Sequence, residues 1–266
     1  MPFIARRIYG WEPALIDESW ELRTIPQGIA YSLCNSLLCE RCGLLFLDIR
    51  FSDIEIARLY HNYRDEVYTQ LREHYEPGYR ERNKKILLGI NYMQDIEDFL
   101  RQHLPSTLSI LDWGGDTGVN TPFKGNPSNT IHIHDISGVE TFGRFPKVSK
   151  QSAAQNSYDL IVCSNVLEHV PFPHKLLGEI KAIMRPNTIL YLEVPFENLV
   201  KNYECGANLL AKKRHWHEHI NFFSQNSLEL LVSEAGLTLL SFQVQDIESE
   251  GKPYSQFMLA CGLNAS

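Results

Sequence analysis

The chain has 266 residues, 44% hydrophobic and 21% charged, which places it among folded globular proteins and excludes disordered, collagenous and low-complexity classes. At about 150 residues per domain it is one large domain, or one domain with an appendage. The formal net charge of −7 argues against a nucleic-acid partner, since non-specific binding needs a basic footprint. There is no apolar run of about eighteen residues, so no membrane span is expected. The start, MPFIARRIYGWEP, lacks an apolar segment leading to a small-residue cleavage site. The expectation is a cytoplasmic protein whose six cysteines stay reduced.

Residues 1 to about 50 mix short β-rich runs with a cysteine cluster, SLCNSLLCERCGLLFLDI. Cys34, Cys39 and Cys42 give C-x4-C-x2-C followed by glycine, which resembles half a zinc ribbon. Residues Arg6 to Glu21 supply no second knuckle, so buried, reduced cysteines in a small β element are the favoured reading, and whether they hold a metal stays open. Residues 52 to about 104 read as helices. Ser52 with Glu55 forms a capping box, and a second helix is expected from about Arg80 to His103, before Pro105. Tyr60, Tyr63, Tyr68, Tyr75 and Tyr79 alternate here with Arg64, Arg72 and Arg80. Each tyrosine alone is read as helix packing. As a set they form a candidate lid, because tyrosine offers a flat apolar face with a polar tip to a sugar or adenine ring. Tyr75, Tyr79 and Arg72 are the candidate substrate contacts.

From Leu108 the pattern alternates. LSILDW, TIHIHDIS, YDLIVCSNV and TILYLEVP read as strands. HKLLGEIKAIM and SLELLVSEAG read as helices, the latter closed by Gly236, and GLTLLSFQVQ and SQFMLACGL as closing strands. Such alternation implies an α/β, doubly wound, mostly parallel sheet with ligands at the carboxyl ends of its strands.

The turn after the first of these strands is Asp112-Trp113-Gly114-Gly115-Asp116-Thr117-Gly118. The dinucleotide pattern G-x-G-x-x-G is absent. Asp112 and Asp116 would repel a diphosphate, which disfavours a nicotinamide-dependent dehydrogenase, and suit a ligand with a cationic near end. S-adenosylmethionine, with an ammonium and a sulfonium, meets that description. Asp135 closes the next strand at about the distance where an acid accepts hydrogen bonds from ribose hydroxyls.

The segments ILDWGGDTG, HIHDIS, YDLIVCSNVLEHVPFP, LYLEVPFE and HEHINFFSQNSLELLVSEAG, over about residues 108 to 240, resemble the class I S-adenosylmethionine-dependent methyltransferases in order and content. The likeness is strongest to the branch with bacterial sugar methyltransferases of surface-glycan and antibiotic pathways. A weaker one runs through CERCGLLFLD and the tyrosine-rich helix. The resemblance implies a seven-stranded Rossmann-like sheet with the last strand antiparallel, spanning residues 76–266. Residues 1–75 would be a small N-terminal β-rich and helical appendage and lid. It places Asp112, Gly114, Gly115 and Gly118 at the methionine portion of the cofactor, Asp135 on the ribose and Ile136 on the adenine. Asn165, Val166 and Leu167 would line the site. Asp116 departs from the family, which often has glycine there; it would bind the cofactor's amino group or only reshape the turn.

Methyl transfer to a hydroxyl needs a base. Arg214-His215-Trp216-His217-Glu218-His219 is dense in candidates and resembles the HEH segment of sugar C-methyltransferases. By that match His219 is the general base and Glu218 its orienting or sugar-binding partner, with His217 beside them. In an extended segment His215, His217 and His219 would share a side, as zinc ligands do, but no matching acid is evident and no metal is assigned. Glu168-His169 is read as shaping the cofactor pocket. Lys212, Lys213 and Arg214 form a basic run suited to a phosphate or nucleotide diphosphate on the substrate, or simply to solvent. The expected acceptor is a small molecule or glycan, free, nucleotide- or phosphate-linked, methylated at oxygen. C-methylation and a catalytically silent partner subunit are the alternatives.

Overall fold

The computed structural model describes residues 2–9, 14–20, 28–30, 36–143, 145–201, 219–249 and 252–264. The amino-terminal region opens with α1 (Pro2–Ile4) and a π-helical turn over Ala5–Tyr9. β1 (Ala14–Ile16) pairs antiparallel with β2 (Gly28–Ala30). β3 (Ser36–Leu38) and β4 (Leu45–Leu47) form a hairpin around the Cys39–Gly43 knuckle, where the Gly43 amide donates to the Cys39 carbonyl at 2.8 Å. Cys39 and Cys42 are unbridged there, and Cys34 lies outside the described residues.

Four helices follow: α2 (Asp53–Tyr60), α3 (Glu66–Tyr75), α4 (Tyr79–Leu88) and α5 (Met93–Arg101). The Ser52–Glu55 capping box forms: the Ser52 amide donates to Glu55 Oε2 at 2.7 Å, and the Ser52 hydroxyl accepts from the Glu55 amide. The single helix expected from Arg80 to His103 is two helices. Gly89 stops the first at φ 105°, and the Ile90 amide leaves the helical ladder for Asn120 Oδ1 at 3.0 Å.

The remaining elements in chain order are β5 (Ser109–Trp113), β6 (Thr130–His134), α6 (Lys150–Ala153), β7 (Leu160–Ser164), α7 (Pro173–Lys181), β8 (Ile189–Pro195), α8 (Asn198–Lys201), β9 (Asn221–Phe222), α9 (Gln225–Glu234), β10 (Leu237–Ser249) and β11 (Lys252–Leu263). The central sheet has six described strands in the order β10-β11-β8-β7-β5-β6. β6, β5, β7 and β8 run parallel, and β11 is antiparallel to both its neighbours. The expected seventh strand shrinks to one parallel bridge between Ile133 and Lys147 beside β6. Pro146 has no N–H to extend a ladder there, which leaves β6 as the edge.

Side chains alternate across this sheet as the strand period requires. Leu111, Ile161 and Leu192 pack on one face with Leu177 and Ile180 of α7 and Leu228 and Val232 of α9. Ile110, Val162 and Tyr191 pack on the other with Ile96 and Leu100 of α5. The amino-terminal region builds a third core from Phe3, Leu45, Leu47, Leu59, Tyr68 and Tyr79, which draws in Ile220 and Phe222. β9 joins it as the third strand beside β4, pairing Phe46 with Asn221 and Leu45 with Phe222. Among the described residues no helix is long and apolar enough to cross a membrane.

Candidate active site

The acids of the sequence motifs meet at the carboxyl ends of β5, β6, β7 and β8. Asp112, in β5, is 4% exposed and accepts from Thr121 Oγ1 at 2.5 Å. Burial pushes its carboxyl up to about 7; the Thr121 hydrogen bond opposes that, and the neighbouring Asp135 and Asp116 charges add to it. The loop crosses tightly over this carboxyl: a Cβ on Gly115 would stand 2.6 Å from Asp112 Cγ. Gly114 turns at φ 81° with Val166 Cγ2 2.5 Å from where a Cβ would be, so only glycine fits there. Gly118 ends the turn, its amide donating to the Gly115 carbonyl at 2.8 Å.

Asp116 adopts φ 52°, a left-handed conformation that aspartate tolerates better than most residues. Its amide donates to Asp135 Oδ2 at 3.0 Å, while the Ser137 amide donates to Asp135 Oδ1 at 2.7 Å. Asp135 therefore fastens the loop after β5 to the loop after β6. Ile136 beside it is 60% exposed, an apolar surface open to a ring. Asp116 Oδ2 receives Arg64 Nη1 at 2.8 Å, a partnership over more than fifty positions that the sequence pattern did not reveal. In the sequence, Arg64 stands only among the tyrosines of the candidate lid.

After β7, Asn165 stands at φ 53° and is locked in place: its amide donates to the Glu193 carbonyl at 2.8 Å, and its side chain to Glu193 Oε1 at 3.0 Å. Val166 packs against Gly114. Leu167 is fully buried within the core, so its side chain does not line the pocket as expected. Glu193 is fully buried, with its carboxyl raised by burial, and receives Tyr191 Oη at 2.6 Å and Tyr92 Oη at 2.7 Å. Nothing in the LYLEVP motif marked it as a structural hub.

His219 lies beyond the ends of β7 and β8. Its Nδ1 is 2.9 Å from Glu197 Oε1, and its ring meets that of His169 edge to face at 4.7 Å. The following residues tie this segment to the loop after β7. The Ile220 and Asn221 amides donate to the Glu168 carbonyl, and Asn221 Nδ2 to the carbonyls of Leu167 and Val170. Glu168 is 1% exposed, and burial pushes its carboxyl up to about 7, with His219 drawing it down. His217, Glu218, Arg214, His215, Lys212 and Lys213 lie outside the described residues.

The candidate substrate contacts belong to the third core. Arg72 is 5% exposed, paired with Glu76 at 3.1 Å and seated over the rings of Phe3 and Tyr79. Tyr79 is buried, and Tyr75 is half-buried against the same cluster. Arg72 and Tyr79 are thus packing residues in this structure.

The loops fit S-adenosylmethionine. Asp116 Oδ1 is a buried acceptor with no hydrogen-bond partner among the described residues, which a cationic group can meet. A family profile described as "Methyltransferase domain" matches residues 79–241. Among curated relatives, "C-methyltransferase NovU" of Streptomyces niveus is 27% identical over 174 residues, 59% of this chain and 40% of the relative. "Ubiquinone biosynthesis O-methyltransferase" of Xanthomonas euvesicatoria pv. vesicatoria is 30% identical over 115 residues, 40% of this chain and 47% of the relative. The chain thus spans less than half the length of these relatives. The solved Burkholderia thailandensis 1,6-didemethyltoxoflavin-N1-methyltransferase, with bound 1,6-didemethyltoxoflavin and S-adenosylhomocysteine, aligns with a TM-score of 0.51 at 14% identity, covering 88% of this chain and 100% of that one. The chain belongs to the methyltransferase domain family.

Proposed function

We propose that the chain transfers a methyl group from S-adenosylmethionine to a hydroxyl oxygen of a sugar, or of a sugar-containing precursor of a bacterial surface glycan, with His219 as general base. The observation that carries this reading is the Glu197–His219 pair at 2.9 Å beyond the strand ends. A carboxylate on Nδ1 fixes the tautomer that presents Nε2 as the proton acceptor. The bound cofactor supplies an electrophilic methyl on a sulfonium. Asp112 and Asp116 offer carboxylates to its cationic end, and Asp135 offers acceptor lone pairs to ribose hydroxyls. Asn165, fixed by Glu193, and the Gly114 turn shape the wall between them. Glu197 holds the His219 ring, and His219 takes the proton as the acceptor oxygen attacks.

C-methylation is the second reading, favoured by the similarity to a relative named a C-methyltransferase. The two share the base and differ in the acceptor atom. The test is release of S-adenosylhomocysteine by the purified chain across nucleotide sugars, sugar phosphates and capsule-type oligosaccharides, with NMR of the product. A new O-methyl resonance supports the first reading and a C-methyl resonance the second. Silence across the panel with cofactor binding intact removes the sugar acceptor.

A further inference from the structure

The ends of β7 and β8 carry more donor chemistry than one base requires. Glu168, His169 and His219 each offer a ligand atom, and these atoms lie within 4.8 Å of one another. Glu168 Oε1 is 3.7 Å from His169 Nε2. Glu168 is 1% exposed, and neither carboxylate oxygen has a hydrogen-bond partner among the described residues. A buried, unpartnered carboxylate is costly, and a cation beside it removes the cost. His219 is already oriented as metal-bound imidazoles usually are, with Nδ1 on a carboxylate that sets the tautomer and raises the basicity of Nε2.

We propose that Glu168, His169 and His219 hold a divalent cation of the zinc type, and that Glu197 is the positioning residue for His219. Two imidazoles and one carboxylate suit zinc, cobalt, manganese or iron(II) better than calcium or magnesium, which prefer all-oxygen sets. Donors about 2.1 Å from a tetrahedral ion stand about 3.4 Å apart, so side-chain shifts of about 1 Å close the site. Three protein ligands leave a position open for the acceptor oxygen.

This inference rests on the proposed methyl transfer and alters one part of it. The ion makes the acceptor hydroxyl acidic, so His219 acts as a ligand rather than as the direct base. The acceptor proton passes to water. The oxygen–methyl bond forms as the sulfur–methyl bond breaks, and S-adenosylhomocysteine leaves.

The test uses the untagged full chain, stripped with EDTA and dialysed, then titrated calorimetrically with zinc chloride and separately with manganese chloride. The cobalt(II) visible spectrum supplies a readout independent of turnover. The expected result is one ion per chain, with affinity at least about 100-fold weaker in Glu168→Gln and His169→Ala, about 10- to 100-fold weaker in Glu197→Gln, and unchanged in His174→Ala, an exposed histidine on α7. Protection of each variant from melting by S-adenosylhomocysteine checks that it folds. Absence of binding to the parent chain, or equal binding by Glu168→Gln and His169→Ala, overturns the inference. Full methyl transfer in EDTA overturns it too while leaving the methyltransferase reading intact. Ion binding without any protection by S-adenosylhomocysteine supports the site and instead removes the cofactor from the proposed function.

Discussion

Arg64 Nη1 lies 2.8 Å from Asp116 Oδ2, so a residue from the turn between α2 and α3 neutralises an acid in the loop after β5. The side chains are only 15% and 18% exposed, so this pair is not an ordinary surface contact. Burial and Arg64 act in opposite directions on the Asp116 carboxyl, burial being the larger and raising it. Replacing Arg64 by methionine leaves that carboxylate uncompensated and should cost about 3 kcal/mol in urea unfolding. The double change Arg64→Met/Asp116→Gly should recover most of the loss, because glycine accepts the φ of 52° without strain. A double variant as unstable as the single one would show that the pair is not the cause.

Under the proposed methyl transfer, Asp112 should make cofactor binding depend on pH. Its folded carboxyl is raised to about 7 by burial, so the fold binds this proton more tightly than the unfolded chain does. The corresponding stability is fully present below about pH 4 and is lost as pH rises towards about 7. The melting temperature of the cofactor-free chain should therefore fall between pH 5 and pH 7.5, less so in Asp112→Asn. A cationic ligand favours the ionised carboxyl. Affinity for S-adenosylmethionine should rise by roughly tenfold from pH 6 to pH 8, and Asp112→Asn should flatten that dependence in isothermal titration.

Tyr92 and Tyr191 both donate to the buried Glu193, which in turn holds Asn165. Tyr92→Phe removes one donor and leaves a carboxylate oxygen with a poorer set of partners. The expected cost is about 1–3 kcal/mol by chemical denaturation. Cofactor affinity should fall with it, because Glu193 holds the Asn165 side chain beside the Gly114 turn. Retention of both would place the hub outside the working site.

His219→Ala should lower kcat by about 10²–10⁴-fold with cofactor affinity retained, whereas Asp135→Ala should lose cofactor binding. Glu197→Gln should fall between the parent and His219→Ala. A His219→Ala enzyme with full turnover would remove this histidine from the chemistry.

Local signals were readable where one short segment determines the outcome. Ser52 and Glu55 announced their cap, Gly236 closed its helix, and the alternating strands from Leu108 gave the sheet. Asp112, Asp135 and the intervening glycines could be placed because strand ends in such a sheet converge by construction. What escaped is non-local. Arg64 reaches Asp116 by way of a packed appendage, and Glu168 meets His219 through main-chain bonds from Ile220 and Asn221. Glu193 looked like an ordinary strand residue because its partners, Tyr92 and Asn165, sit on other elements. The seventh strand, expected by resemblance, is lost to a proline at the one place where a ladder could have grown.

β9 has consequences for how the chain reaches its working state. Phe46 and Asn221 are partners from opposite ends of the sequence, and the Leu47 amide closes on the Ile220 carbonyl, one residue past His219. Contacts of such separation carry a large loop-closure cost and tend to form late in folding. The central sheet can assemble from neighbouring segments before the histidine is in register. Competence for chemistry would then arrive as a separate, slower kinetic phase, set by docking of the first fifty residues rather than by collapse of the sheet.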